Sequence, residues 1–364
     1  MSVRISLSLF PVFLLLLSQS CSKTSATAAI KEVPVGPVIR IDAPLGLPSV
    51  PVPSTNPETL ETIALGRRLF YDKRLSRDNS VACASCHNPG LGFTDGRKFS
   101  LGVGGKTGTR NAPTVINAAY MPLQFWDGRA ASLEEQAAGP IANPVEMDQG
   151  HDIWVSTLDA DPTYKAAFQK AFGPGPATLG KVEKALASFE RTLISGNSPF
   201  DRYEYGGDKH AMSPAAIRGF AVFMNPQKGN CAACHTINSK FALFTDGKFH
   251  NTGAGVDGEG NITDLGRYIE TKHDADKGAF KTPTLRNVAL SAPYMHDGSL
   301  KTLKDVVDFY AGQGNSNPYL DKEMKVIQLS GQERSDLVAF LESLTGQMPA
   351  GAGPAEMALS RSGQ

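Results

Sequence analysis

Cys83-Ala-Ser-Cys86-His87 and Cys231-Ala-Ala-Cys234-His235 decide the fold. Both read C-x-x-C-H, the attachment pattern of c-type haem. Two thiols on one helical turn can each reach a haem vinyl group and form a thioether. The next residue then offers an imidazole to the iron. Zinc needs four tetrahedral ligands, and one such motif supplies two cysteines and a histidine. A thioredoxin-type redox pair leaves the histidine unexplained. Two motifs in one chain predict two covalent haems, with His87 and His235 as proximal ligands. The opposite face of each iron then decides function. A sixth protein ligand makes an electron-transfer haem, and an open face makes a reactive one.

The rest of the chain is consistent with this. It has 364 residues, enough for two domains, and Gly 36 and Pro 24 predict long loops. Lys plus Arg and Asp plus Glu are both 36. A net charge of zero gives no electrostatic footprint for nucleic acid. Five cysteines, four of them in the two motifs, make no disulfide framework. The fifth, Cys21, follows an apolar run from Leu7 to Leu17. Residues 1–20 read as a signal peptide, too short for a confident span. Cys21 stands where a lipid-anchor cysteine would, and an ordinary cleaved signal is the other reading. Residues 21–56 lack a helical period and are rich in Ser, Thr, Ala, Pro and Val, so they read as a tether. The chain is expected in the periplasm.

Outward from the motifs, the chain repeats itself. Phe93-Thr-Asp-Gly96 follows the first motif and Phe244-Thr-Asp-Gly247 the second. Ala112-Pro-Thr-Val-Ile-Asn117 matches Thr282-Pro-Thr-Leu-Arg-Asn287, Asp127-Gly128 matches Asp297-Gly298, and Leu133 matches Leu303. This second block keeps a constant offset of 170 positions. The expected architecture is all-α: two cytochrome c-like domains, residues 57–200 and 201–348, packed face to face, with a flexible tail at 349–364.

Leu303, Val306, Val307 and Tyr310 recur at i, i+3, i+4 and i+7, one apolar helix face. Tyr310 is therefore either a core residue or an iron ligand. Its repeat counterpart is Pro140, which has no ligating atom. Equivalent domains would cap the second haem with Tyr310 and leave the first open. Gln136 and Glu146 flank Pro140. A carboxylate over an open iron can shuttle the proton of peroxide. Spacing alone favours reading Glu146 as a surface loop carboxylate over a catalyst, a weighting that the resemblance below reverses.

These residues resemble the bacterial di-haem cytochrome c peroxidase and MauG superfamily. The resemblance runs from about Leu60 to Gly346. It rests on Leu69-Phe-Tyr-Asp72, Arg110-Asn-Ala-Pro-Thr114, Gln124-Phe-Trp-Asp-Gly-Arg129 and Asn143-Pro-Val-Glu-Met147. It continues through Thr284-Leu-Arg-Asn287, Ala292-Pro-Tyr-Met-His-Asp-Gly298 and Asp336-Leu-Val-Ala-Phe-Leu341. The resemblance implies that Gln136 and Glu146 line the distal pocket of the first haem and that Trp126 lies between the haems. It also implies one calcium ion held by the Asn111 side chain and the carbonyls of Ser291 and Pro293. Such oxygen ligands suit calcium.

Two departures from the peroxidase pattern stand out. Val103 occupies the place where most peroxidases carry a histidine that ligates the first haem at rest. Tyr310 stands where they carry methionine, and tyrosine there is the pattern of MauG. Met295, His296 and Met324 remain alternative ligands, with His296 also readable as a structural histidine. Gly229 occupies the place of the surface tryptophan through which MauG oxidises its protein substrate. The implied activity is reduction of hydrogen peroxide with electrons from a small cytochrome or cupredoxin. Oxidative modification of a partner protein, or plain electron carriage, are the alternatives.

Overall fold

A computed structural model describes residues 32–354. The signal segment 1–20 and Cys21 lie outside the described residues. Helices run α1 Leu60–Phe70, α2 Cys83–Cys86, α3 Leu133–Ala142, α4 His151–Ala160, α5 Pro162–Phe172 and α6 Leu179–Arg191. They continue as α7 Pro199–Glu204, α8 Pro214–Met224, α9 Tyr268–Thr271, α10 Leu303–Ala311 and α11 Gly331–Glu342. Two-residue strands β1 Phe249–His250 and β2 Phe280–Lys281 form one antiparallel pair. The mostly helical expectation holds.

Local chemistry starts these helices. Thr59 and Thr62 form a reciprocal capping box at α1, Ser132 caps α3, and Thr302 with Asp305 caps α10. Each cap satisfies N–H groups that the first helical turn leaves open.

Two apolar cores form. One gathers Leu65, Leu69, Phe70, Phe93, Leu186 and Phe189. The other gathers Phe200, Phe223, Phe244, Leu337 and Phe340. In each, a glycine lets two helices cross at backbone contact. A Cβ on Gly66 of α1 would collide with the Ala185 carbonyl of α6, and one on Gly219 of α8 with the Asp336 carbonyl of α11.

The repeat is more extensive than the sequence motifs. Asn117 and Asn287 both adopt left-handed backbone, as do Phe125 and Met295. Bridges join Gln124 to Ala130 and Tyr294 to Leu300. The Asn117 amide bonds the Ser195 backbone, and Asn287 Oδ1 accepts from the Gly346 N–H. The α6 residues Leu186, Phe189 and Glu190 thus correspond to Leu337, Phe340 and Leu341 of α11. The offset returns to 151 here because α4 and α5 lengthen the first half, as the β1–β2 excursion lengthens the second.

A reciprocal pair of backbone hydrogen bonds ties the halves together. Asn111 N–H donates to the His296 carbonyl at 2.6 Å, and Lys281 N–H donates to the Trp126 carbonyl at 2.8 Å. Asn111 corresponds to Lys281 and Trp126 to His296, so the two bonds are the same contact made from each side.

Residues 32–56 do not behave as the expected tether. Val35 N–H bonds the Ala171 carbonyl, Ile39 N–H bonds the Glu58 carbonyl, and the Gly46 carbonyl accepts from Ala242 N–H and Arg286. An extended, proline-rich chain has free backbone groups, and here both halves supply their partners. The expected tail is also partly packed: Ala352 is buried in the first core, and its carbonyl accepts the Tyr71 hydroxyl at 2.6 Å.

Candidate functional site: two unlike cavities in one scaffold

Each C-x-x-C-H motif opens a cavity, and the motif's backbone makes both thiols face it. Cys83 and Cys86 bracket the single turn of α2, and the His87 N–H closes that turn on the Cys83 carbonyl. The second motif does the same between His235 N–H and the Cys231 carbonyl. All four cysteines are free thiols. Burial raises the Cys83 and Cys86 thiols, and pushes Cys231 up to about 12. Neutral thiols that no disulfide consumes suit thioether formation.

The imidazoles are oriented. His87 Nδ1–H donates to the Phe93 carbonyl at 3.2 Å, and His235 Nδ1–H donates to the Phe244 carbonyl at 2.8 Å. That fixes the tautomer and leaves each Nε2 lone pair for a metal. Burial holds both rings below the ordinary histidine range, so they are neutral donors. The donor set fits a covalently bound haem at each motif.

The first cavity, about 50 Å³, is bordered by Cys83, Cys86, His87, Gln136, Pro140, Glu146 and Glu190. Gln136 and Pro140 come from α3, and Glu146 from the loop after it. Asn143 Nδ2 donates to Glu146 Oε1 at 2.6 Å, and Val103 N–H donates to the Glu146 carbonyl at 2.8 Å. Burial raises the Glu146 carboxyl, against the pull of Asn143 and Arg129. Val103 is itself buried in the first core, so it anchors the Glu146 loop. Gly102 beside it has no room for a Cβ against the Val145 and Glu146 backbone.

The second cavity, about 290 Å³, is bordered by Cys231, Cys234, His235 and Tyr310, with Val306 and Val307 on the same face of α10. Burial pushes the Tyr310 phenol well above its ordinary range. Met295, His296 and Met324 border this cavity too. His296 is buried, its ring stacks on Phe280 at 3.6 Å, and its Nε2 has no hydrogen-bond partner. Its place as the repeat counterpart of Trp126 was not read from the sequence.

Trp126, Asn111, Ser291 and Pro293 border this same cavity. The Trp126 indole donates to the Asn111 carbonyl at 2.9 Å. Asn111 Nδ2 donates to the Arg97 carbonyl at 2.7 Å, which turns Oδ1 the other way. Neutral oxygens of this kind fit calcium. Among the described residues no cluster of three His, Cys, Asp or Glu side chains stands ready for a metal. No described helix is long and apolar enough to cross a membrane.

Sequence reasoning missed three residues. Glu190 borders the first cavity where the repeat puts Leu341 in the second. Burial pushes its carboxyl up to about 8. Following the repeat past the α4–α5 insertion would have found it. His250 bonds Asp321 at 2.6 Å and Asp246 at 3.0 Å beside the second cavity. Lys281 borders that cavity, and among the described residues it has no carboxylate partner.

Comparison with known proteins agrees with this geometry. The family model "Di-haem cytochrome c peroxidase" matches residues 60–210, and "Cytochrome c" matches 216–345. The methylamine utilization protein MauG of Methylorubrum extorquens is 46% identical over 300 residues, 82% of each chain. Cytochrome c551 peroxidase of Pseudomonas aeruginosa is 42% identical over 289 residues, 78% of this chain and 79% of that one. A solved MauG-like protein associated with microbial copper homeostasis superposes with a TM-score of 0.76 at 33% identity, covering 84% of this chain and 95% of that one. With two thiol pairs, two oriented imidazoles and relatives of both kinds, the chain belongs to the di-haem cytochrome c peroxidase and MauG family and carries two covalently bound haem c groups.

Proposed function

We propose that the protein is a periplasmic di-haem peroxidase. It reduces hydrogen peroxide at the His87 haem with electrons relayed through the His235 haem. The observation that carries this is the exchange at one register of the repeat: Pro140 borders the first cavity and Tyr310 the second.

When bound, the haems supply one-electron chemistry and the iron at which peroxide is reduced. The chain supplies the rest. Pro140 offers no ligand, so the first site stays open to a small molecule. Asn143 holds Glu146 by Oε1 and leaves Oε2 to take the proton from one peroxide oxygen and return it to the other. Burial keeps this carboxyl basic enough for that exchange. Gln136 lines the same space and orients the substrate by hydrogen bonding. Two electrons and two further protons complete the conversion of peroxide to two waters. Trp126 bonds to backbone of both halves and so lies on a hydrogen-bonded route between them. Tyr310 would ligate the second iron and so close that site to other molecules. Asn111, Ser291 and Pro293 would hold one calcium ion, which would stiffen the junction. A small cytochrome or cupredoxin serves as donor.

Spectroscopy of the diferric protein tests this. One high-spin and one low-spin haem are expected, and two low-spin haems before reduction would sink the open first site. Tyr310→Phe should change the low-spin spectrum; an unchanged spectrum makes another residue the ligand.

Tyr310 and Val103 favour a second reading, a MauG-like enzyme that oxidises side chains of a partner protein. Gly229 weighs against the same route to a substrate. A Cβ there would lie 2.5 Å from the Val222 carbonyl and 3.3 Å from Cys231 Sγ, so this backbone has no place for a tryptophan. Peroxide turnover with a reduced small cytochrome or cupredoxin separates the two, since the second reading expects none.

A further inference from the structure

Lys281 is a cation in the wall of the second cavity, and no carboxylate among the described residues neutralises it. It lies on β2, opposite Phe249, and its N–H bond to the Trp126 carbonyl sets it at the junction of the halves. Among the described residues it forms no ion pair, and its ammonium is withdrawn from water enough to pull it down to about 8. Placing a charge there without a counter-ion is costly, and a lysine is retained in such a place when an anion completes it.

The other cations nearby are satisfied. His250 lies between Asp246 and Asp321. Arg110 bonds Asp127 and Asp264. Lys325 is exposed at the rim and pairs with Glu323. The acids on the cavity wall, Asp321 and Glu323, are likewise partnered. The anion that completes Lys281 therefore comes with what the cavity binds. Haem is apolar over its ring and carries its negative charge in two propionate carboxylates. The wall of this cavity is correspondingly apolar apart from a few polar groups.

We propose that Lys281 anchors a propionate of the His235 haem and, as a charge beside it, raises that haem's reduction potential. The residue at the same register of the first half is the neutral Asn111, so this charge acts on one side of the junction only. A nearby cation disfavours ferric relative to ferrous iron and works against a phenolate ligand, which favours ferric. The inference rests on the haem at His235 and not on the fate of peroxide.

Potentiometric titration of the full-length holoprotein, followed by absorption, tests it with Lys281→Met and Lys281→Arg, and haem content is measured on each. In the Met variant the midpoint of the low-spin haem should fall, and the Arg variant should keep the parent value. A Met variant with two haems and an unshifted midpoint overturns the proposal. So does an equal fall in the Arg variant. Should the Met variant load only one haem, recovery of the second in the Arg variant supports the anchor, and failure to recover it overturns it.

Discussion

The two cavities are built from corresponding helices and left-handed turns and share their thiol pairs and oriented imidazoles, yet the helix residues that face them differ in chemistry. α3 turns Gln136 and Pro140 toward the first, and α10 turns Val306 and Tyr310 toward the second. α6 adds Glu190 where α11 adds Leu341. At these registers Gln136 and Glu190 face His87 where Val306 and Leu341 face His235. The difference teaches that the fold fixes where a side chain meets the haem, while a handful of substitutions at those places fix what the haem does. A buried carboxyl near an open site can move protons. The same carboxyl near an electron relay would only add desolvation cost.

The sharpest way to break this comparison is Glu146→Gln. Losing a general acid–base group should slow peroxide consumption by about 10²–10⁴-fold while leaving the low-spin spectrum alone. Steady-state turnover checks it, and unchanged rates would remove Glu146 from the reaction. The shared framework predicts a second, symmetric effect. Gly66→Ala and Gly219→Ala each force a methyl into a facing helix carbonyl, costing about 1–3 kcal/mol by overpacking. Denaturant unfolding of both should show similar losses, and a neutral result in one half would mean the crossings are not equivalent.

A smaller effect concerns Glu190. Its carboxyl sits at about 8 in the folded chain against 4.5 when exposed, because burial disfavours the charged form. The folded state therefore keeps a proton that the unfolded chain releases between those values. The stabilisation is fully present below 4.5 and is lost as pH rises toward 8, by about 1.4 kcal/mol per pH unit. Glu190→Gln should flatten this slope in unfolding midpoints measured from pH 5 to 8. An unaltered slope would place the titration elsewhere.

Much of the fold was legible because its signals are short and local. The thiol–imidazole motifs, the Pro-Thr and Asp-Gly segments and the apolar face ending at Tyr310 all lie within one element or one turn. The mostly helical architecture and the two haems follow from them. Glu190 was hidden because α4 and α5 shift the register of α6 by nineteen residues relative to the block that precedes it. Lys281 was hidden because an unpaired cation is a fact of packing, invisible until the carboxylates around it are located. The segment 32–56 misled for a related reason. Proline-rich composition predicts an extended chain correctly, but extension says nothing about whether another surface will accept its backbone.

The reciprocal bonds from Asn111 to His296 and from Lys281 to Trp126 carry a consequence for descent. Both are made by main-chain atoms, so no substitution at the four positions except proline at Asn111 or Lys281 removes a donor or an acceptor. A duplicated half that docks on its twin in this way can change the residues at the seam without losing the seam. Asparagine and lysine, tryptophan and histidine are free to drift apart in role while the docking of the two halves is kept.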